Sequence, residues 1–195
     1  MTPNFSICVY CGSRPGADPR FATLATEVGR WIGRHGGQLV YGGGNNGLMG
    51  VMADATLAAG GRVVGIIPQS MVEREWAKRD CTELHVVDNM HQRKRLMAER
   101  ADAFLALPGG IGTLEELFEA WTWRVLDFHA KPVGILDAGG YYTTLLDFLR
   151  QSVAHGFMND WQMDRLTVGT EAVPLLQRLV EAAGVTPPGM DLSQI

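Results

Sequence analysis

Two adjacent glutamates follow a run of small residues in the segment LPGGIGTLEELFEAW. The small residues are Gly109, Gly110, Gly112 and Thr113. Glycines before a helix expose backbone N–H groups, and a helix N-terminus favours anions, so the run suits a phosphate group. We expect Glu115 and Glu116 in the first turn of that helix. There they either interact only with the helix dipole or act on a bound substrate.

A basic triplet, Arg93-Lys94-Arg95, lies upstream in a chain whose net charge is −4. One interpretation is a solvated helix face in which Arg95 pairs with Glu99 one turn later. The other is that Arg93 and Lys94 supply positive charge to a phosphoryl or ribosyl group, for which a guanidinium is well suited. The sequence leaves both interpretations open.

Carboxylates next to an arginine and a phosphate-binding loop suggest chemistry at the glycosidic bond of a nucleotide. When the bond between C1′ and the base breaks, positive charge develops on the ribose. A carboxylate can stabilise this charge or activate a water molecule. A bound phosphate would hold the ribose in place while this happens.

Short apolar strands alternate with longer amphipathic helices, which predicts an α/β fold with a Rossmann-like open parallel sheet flanked by helices on both faces. The predicted strands are 7–10, 38–41, 62–68, 83–87, 103–107, 132–136 and 165–168. The predicted helices are 20–34, 48–59, 90–100, 114–126, 141–155 and 171–183. We expect a single nucleotide-binding domain over 1–185 and a mobile tail over 186–195.

Three of the loops that join a strand to a helix are rich in glycine: CGSRPG, YGGGNNGLMG and LPGGIGTLEE. Ligands of parallel sheets bind at the carboxyl ends of the strands, where these loops lie. The loops therefore predict a phosphate-containing ligand, although tight turns without a ligand are the alternative. None of them matches a P-loop or the NAD-binding fingerprint.

Composition and patterning exclude several other classes of protein. The net charge of −4 argues against a binder of nucleic acid polymers, which would carry a basic face, although it leaves room for a small basic pocket. No apolar run reaches the roughly 18 residues of a membrane span, and the N-terminal pattern is not that of a signal peptide, so we expect a cytoplasmic location. Cys8 and Cys11 form a C-x-x-C pair, but residues three apart in a strand point to opposite faces. No second pair exists to complete a zinc site, so we expect an ordinary structural pair and no metal site.

The segment 108–116, PGGIGTLEE, fits the pattern P-G-G-x-G-T-x-x-E, and the segment 90–94, MHQRK, precedes it. With the two earlier glycine loops, these motifs closely resemble the LONELY GUY family of cytokinin riboside 5′-monophosphate phosphoribohydrolases, over about residues 7–158. Members of this family are often labelled lysine decarboxylases. The sequence offers no evident lysine site for pyridoxal phosphate, so we set that label aside.

The resemblance implies a homodimer with active sites near the subunit interface and no metal or organic cofactor. Arg93 and Glu116 would be catalytic, with Glu115 as the rival to Glu116. The residues expected to bind the substrate are Glu75, Arg93, Lys94, Gly109, Gly110, Ile111, Gly112, Thr113, Leu114, Glu115 and Thr122. The match at Glu75 rests on a short local agreement, and an ordinary surface loop is its alternative.

The expected reaction is hydrolysis of a small nucleotide, N6-prenylated AMP or AMP itself, to the free base and ribose 5-phosphate. Two alternatives remain at this point. The first is a nucleotide-binding carrier module without catalysis. The second is a nucleosidase for other nucleoside monophosphates, which would use the same chemistry.

Overall fold

The predicted α/β architecture is confirmed by a computed structural model that describes residues 2–74 and 76–185. Within these residues the strands are β1 Ser6–Tyr10, β2 Gln38–Tyr41, β3 Arg62–Pro68, β4 Glu83–Val87, β5 Ala103–Ala106, β6 Val133–Leu136 and β7 Leu166–Gly169. The helices are α1 Arg20–Arg34, α2 Gly47–Ala58, α3 Gln69–Val72, α4 Met90–Glu99, α5 Ile111–Val125, α6 Thr143–Ala154, α7 Asp160–Asp164 and α8 Ala172–Ala182. Glu75 and the predicted mobile tail 186–195 lie outside the described residues.

All seven strands pair in parallel in the order β4-β3-β2-β1-β5-β6-β7. The chain builds outward from β1 to β4 and then returns to place β5 on the other side of β1. This reversal is a topological switch point, and the loops that follow β1 and β5 diverge there. The three glycine-rich loops therefore leave the sheet at one edge, as predicted.

The sheet is buried on both faces because alternate side chains of its strands enter two separate hydrophobic clusters. In β1, Ile7 and Val9 pack with α1, α2 and α8, whereas Cys8 and Tyr10 pack with α4, α5 and α6. Cys11 lies in the first cluster, so the two cysteines of the C-x-x-C pair are on opposite sides. Both thiols are free, and burial raises the pKa of each. The placement of the two cysteines on opposite sides, which strand geometry predicted, is confirmed.

Helix α5 begins earlier than predicted, and this corrects the expected position of the two glutamates. Gly110 is the extended N-cap residue, with φ −91° and ψ −155°, so Gly112 and Thr113 lie inside the helix. Glu115 and Glu116 consequently occupy the second turn, and the prediction that they lie in the first turn was wrong. The reason is that glycine serves well as an N-cap, so a glycine run does not mark the end of the loop.

Two short helices were not predicted. Helices α3 and α7 have four and five residues, too few to show a helical repeat of apolar positions. Helix α7 did offer one signal, because Asn159 and Gln162 form a capping box at its start. Among the described helices, none combines the length and the apolar character that crossing a bilayer requires.

Helices α1 and α2 pack closely because small residues line their contact. A methyl group added at Gly33 of α1 would lie 2.6 Å from the Thr56 carbonyl oxygen and from the Ala59 Cβ. The first is a backbone atom and the second is attached directly to the backbone, so neither can move aside unless α2 shifts. This close contact sets the spacing of the two helices on the first face of the sheet.

We expect Gly33→Ala to lower the free energy of unfolding by about 1–3 kcal/mol, because the added methyl group overpacks this contact. Alanine favours a helix over glycine by about 1 kcal/mol, so helix propensity alone predicts the opposite sign. Urea denaturation measures the change. The exposed Arg30→Ala in the same helix is the control and should stay within about 0.5 kcal/mol of the parent. An unchanged or increased stability of Gly33→Ala would contradict the packing argument.

Candidate active site

The three glycine-rich loops are joined to one another by backbone hydrogen bonds. Gly12 in the first loop donates to the Pro108 carbonyl at 3.1 Å, and Leu48 after the second loop donates to the Gly12 carbonyl at 3.0 Å. A cleft of about 670 Å³ opens between the loops and the start of α5. The predicted edge of the sheet therefore holds one continuous site.

Arg93, on the first turns of α4, reaches from that helix into the floor of the cleft. Its Nε donates to the Ile66 carbonyl at 3.1 Å and its Nη2 to the Gly42 carbonyl at 3.4 Å. Its Nη1 lies 3.0 Å from Oε1 of Glu116. One guanidinium thus joins β3, the loop after β2 and helix α5, and the residue is only 8% exposed.

Gly42 is a glycine because the Arg93 guanidinium occupies the space of its side chain. A Cβ at this position would overlap Nη2 of Arg93. Glycine at position 42 therefore leaves room for the guanidinium in its present place, and a ligand is not needed to explain it.

The two neighbouring glutamates of α5 have different environments. The Glu116 side chain is 12% exposed and pairs with Arg93, whereas that of Glu115 is 49% exposed and pairs with Lys94 at 2.6 Å. Burial raises the pKa of Glu116 above the ordinary glutamate value, although the positive charge of Arg93 acts against this. Glu116 is thus a largely desolvated carboxylate held on the cleft floor, and Glu115 lies at the rim.

The side chains of the basic triplet lie in different environments, and only that of Arg95 tests one of the earlier interpretations. Lys94 bonds Glu115 and, at 2.9 Å, Glu119. Burial opposes its charged form, but these two carboxylates outweigh burial and raise the pKa of Lys94. Arg95 pairs with Glu99 at 2.7 Å on the exposed face, as the solvated interpretation predicted.

The glycines at the start of α5 fall into two groups. A methyl group at Gly109 would overlap the Thr113 hydroxyl, so packing requires glycine there. A methyl group at Gly110 or Gly112 would meet nothing within 4 Å. The N–H groups of the first turn of a helix have no intrahelical acceptor. Open space above bare backbone at that point suits close approach by a phosphate.

Most of the predicted site residues line the cleft. These are Arg93, Gly109, Gly110, Ile111, Gly112, Thr113, Glu115 and Glu116. Lys94, Leu114 and Thr122 do not line it in the described chain: Leu114 packs against the second hydrophobic cluster, and Thr122 is exposed further along α5. Their contact with substrate stays a prediction, and Glu75 lies outside the described residues.

Sequence reasoning missed the apolar wall of the cleft. Its members are Met49, Met71, Trp76, Met90 and Ile67. Each comes from a different helix, strand or loop, and no local pattern distinguishes a cleft-lining methionine from a core one. Among the described residues, no group of three His, Cys, Asp or Glu side chains could hold a metal ion.

Comparison with known sequences gives consistent relatives. Residues 49–179 match a family model described as possible lysine decarboxylase. A cytokinin riboside 5′-monophosphate phosphoribohydrolase of Rhodococcoides fascians is 48% identical over 164 residues, which cover 84% of this chain and 83% of the relative. One of Arabidopsis thaliana is 42% identical over 177 residues, covering 91% and 82%.

Solved structures with a similar fold include two proteins of another description. The molybdenum cofactor carrier protein of Chlamydomonas reinhardtii has a TM-score of 0.69 and 20% identity, covering 94% of this chain and 99% of its own. The molybdenum cofactor binding protein of Rippkaea orientalis has a TM-score of 0.68 and 21% identity, covering 93% and 97%. At such low identity the likeness shows the fold alone.

Replacing Arg93 tests the electrostatics of the cleft floor. Arg93→Met removes a cation that lowers the pKa of Glu116, so we expect this pKa to rise further above 4.5. Titration of the side-chain carboxyl carbon by NMR measures the change. Arg95→Met is the matched control, because Arg95 faces Glu99 on the exposed side. A Glu116 pKa that stays the same or falls in Arg93→Met would contradict the assigned pairing.

Proposed function

The chain belongs to the family of cytokinin riboside 5′-monophosphate phosphoribohydrolases, and we propose that it hydrolyses the N-glycosidic bond of N6-prenylated AMP to the free cytokinin base and ribose 5-phosphate. The observation that carries this proposal is the buried pair of Arg93 and Glu116 on the floor of a cleft whose rim is a bare helix N-terminus. The pair offers a desolvated carboxylate, and the helix offers an anion site next to it.

The geometry of the cleft supports one placement of the substrate. The 5′-phosphate binds at the first turn of α5, where Gly110 and Gly112 leave the backbone open. The ribose lies over Glu116, and the base with its apolar substituent lies along the wall that contains Trp76 and Met71. Binding of the phosphate orients C1′ toward the carboxylate.

Hydrolysis then proceeds with the electrons of the C1′–N9 bond leaving with the base, which takes up a proton from solvent. The ribose ring becomes positively charged, and the ionised Glu116 stabilises it. A water molecule forms the new bond to C1′ and loses a proton, for which Glu116 is the acceptor. A carboxylate with a raised pKa accepts a proton more readily near neutral pH. Arg93 keeps this carboxylate ionised and oriented.

The description of the family model as possible lysine decarboxylase does not fit this cleft. Pyridoxal phosphate enzymes bind their cofactor through a lysine, and the described residues that line the cleft include none. The carrier alternative has only the shared fold in its favour, and one fold serves many functions. A carrier has no use for a buried carboxylate at the site of bond cleavage.

We further propose that the enzyme is a homodimer with its active sites near the subunit interface, as the family resemblance implies, and that it is located in the cytoplasm. Ile111 supports the dimer, because it is an apolar residue at the mouth of the cleft and is 88% exposed. A second subunit that covered it would remove apolar surface from water.

Substitution of the two glutamates tests their roles. We expect Glu116→Gln to lower turnover by at least about 10²-fold, because it removes a preorganised negative charge at the reacting carbon. Glu115→Gln is the matched control and should lower turnover less, because Glu115 lies at the rim with Lys94. Release of base from isopentenyl-AMP measures both. A larger loss of turnover for Glu115→Gln would reverse the assignment. If the parent and Glu116→Gln bind the nucleotide equally well and the parent releases no base, a carrier is favoured.

A panel of nucleotides tests the substrate. We expect base and ribose 5-phosphate to be released from isopentenyl-AMP and AMP, with the higher kcat/KM for isopentenyl-AMP because of the apolar wall. CMP, UMP and GMP complete the panel, and chromatography detects each base. Faster release from one of these three would instead favour a nucleosidase for other nucleoside monophosphates. If no nucleotide yields base, the enzyme proposal fails.

A further inference from the structure

A sharp turn after β6 places two consecutive tyrosines beside the start of α5. The carboxylate of Asp137 fixes this turn: it accepts a hydrogen bond from the Tyr142 backbone N–H at 2.6 Å and one from the Thr143 hydroxyl at 2.7 Å. Asp137 is only 8% exposed, so these bonds are shielded from water. The turn thereby holds the tyrosines in a defined position relative to β5.

Both tyrosine hydroxyls donate to the segment that leads into α5. The Tyr142 hydroxyl donates to the Leu107 carbonyl at 2.7 Å, and the Tyr141 hydroxyl donates to the Gly109 carbonyl at 2.7 Å. The carbonyl between them, that of Pro108, accepts from the Gly12 N–H at 3.1 Å. All three consecutive carbonyls are therefore held by groups from outside the segment.

The segment needs such support because its own residues cannot provide it. Proline has no N–H to donate, and the two glycines that follow have no side chains to pack. Glycine also loses the most conformational freedom on ordering. The direction in which the N–H groups of the first turn of α5 point is consequently set by the carbonyl bonds that precede them.

The two tyrosines differ in their access to the cleft, and this difference separates direct contact with a ligand from an indirect effect on it. Tyr141 is 45% exposed, lines the cleft and packs edge-on against Phe21 at 5.4 Å. Tyr142 is 2% exposed and does not line the cleft. Tyr142 can affect a ligand only indirectly, through its hydrogen bond to Leu107 or through its ring, which packs edge-on against Tyr141 at 4.8 Å. Removing the hydroxyl alone keeps the ring contact, so Tyr142→Phe reveals whether the segment 107–109 transmits the effect.

We infer that Tyr141 and Tyr142 are positioning residues for phosphate binding: their hydroxyls hold the segment 107–109 so that the first turn of α5 faces the 5′-phosphate of the substrate. This inference rests on the proposed function, because it assigns the anion at α5 to the substrate. Neither tyrosine contacts the Arg93–Glu116 pair, so binding should change more than the chemical step.

The test uses Tyr141→Phe and Tyr142→Phe, which remove one hydroxyl each and keep the rings. The probe is ribose 5-phosphate, and isothermal titration calorimetry on the whole protein gives its Kd. We expect each variant to raise this Kd by about fivefold, the effect of one hydrogen bond. With isopentenyl-AMP, KM should rise and kcat should change less than KM.

Melting temperatures of the ligand-free proteins separate positioning from simple stability. Tyr142→Phe should melt lower because its bond is buried, whereas the half-exposed Tyr141→Phe should melt close to the parent. All titrations are made well below these temperatures. If either variant binds ribose 5-phosphate with the Kd of the parent, the inference is overturned. This includes the case in which only Tyr141→Phe loses affinity, because direct contact of Tyr141 with the ligand would then explain the effect. If the parent itself binds neither ribose 5-phosphate nor nucleotide, the proposed function fails instead.

Discussion

A buried guanidinium must find partners for its charge and its N–H groups, and the site depends on how Arg93 meets this requirement. Taking one partner from a buried ion pair is strongly destabilising, because the remaining charge stays in a desolvated place. Arg93 finds its partners in the carbonyls of Ile66 and Gly42 and in the carboxylate of Glu116. These partners belong to the strands on one side of the switch point and to the helix on the other. The same contact that satisfies Arg93 therefore aligns the two halves of the sheet across the cleft.

Much of the fold is readable from the sequence because its signals are local. The bounds of β2, β3, β4 and α1 are as predicted. The apolar runs of β2 and β3 end at glycine or proline, that of β4 ends at Asp88, and α1 begins after Asp18-Pro19. Apart from Leu114, the residues of the PGGIGTLEE motif were placed at the cleft for the same reason, and their roles stay a prediction. The different environments of Glu115 and Glu116 could not be read from the sequence, because they depend on where α4 docks. The contribution of Tyr141 and Tyr142 lies beyond the motif, at a turn that comes near it only through the pairing of β5 with β6.

Four glycines of the site look alike in the sequence but lie in three different environments. Gly42 makes room for Arg93, Gly109 makes room for Thr113, and Gly110 and Gly112 border open space. The first two belong to the protein's own packing, and only the last two are left for a ligand to explain. A glycine-rich motif therefore combines glycines that packing requires with glycines that border open space. The space beside each Cα distinguishes the two kinds.

Gly42 has a consequence for how the chain can change over time. Any side chain at position 42 displaces the guanidinium, whereas a shorter residue at position 93 leaves a space that a side chain at 42 could fill. The two positions are 51 residues apart in the chain and share one volume. Each position therefore limits which substitutions the other accepts. Where the arginine is kept, position 42 stays glycine. Where the arginine is lost, both positions can accept other residues.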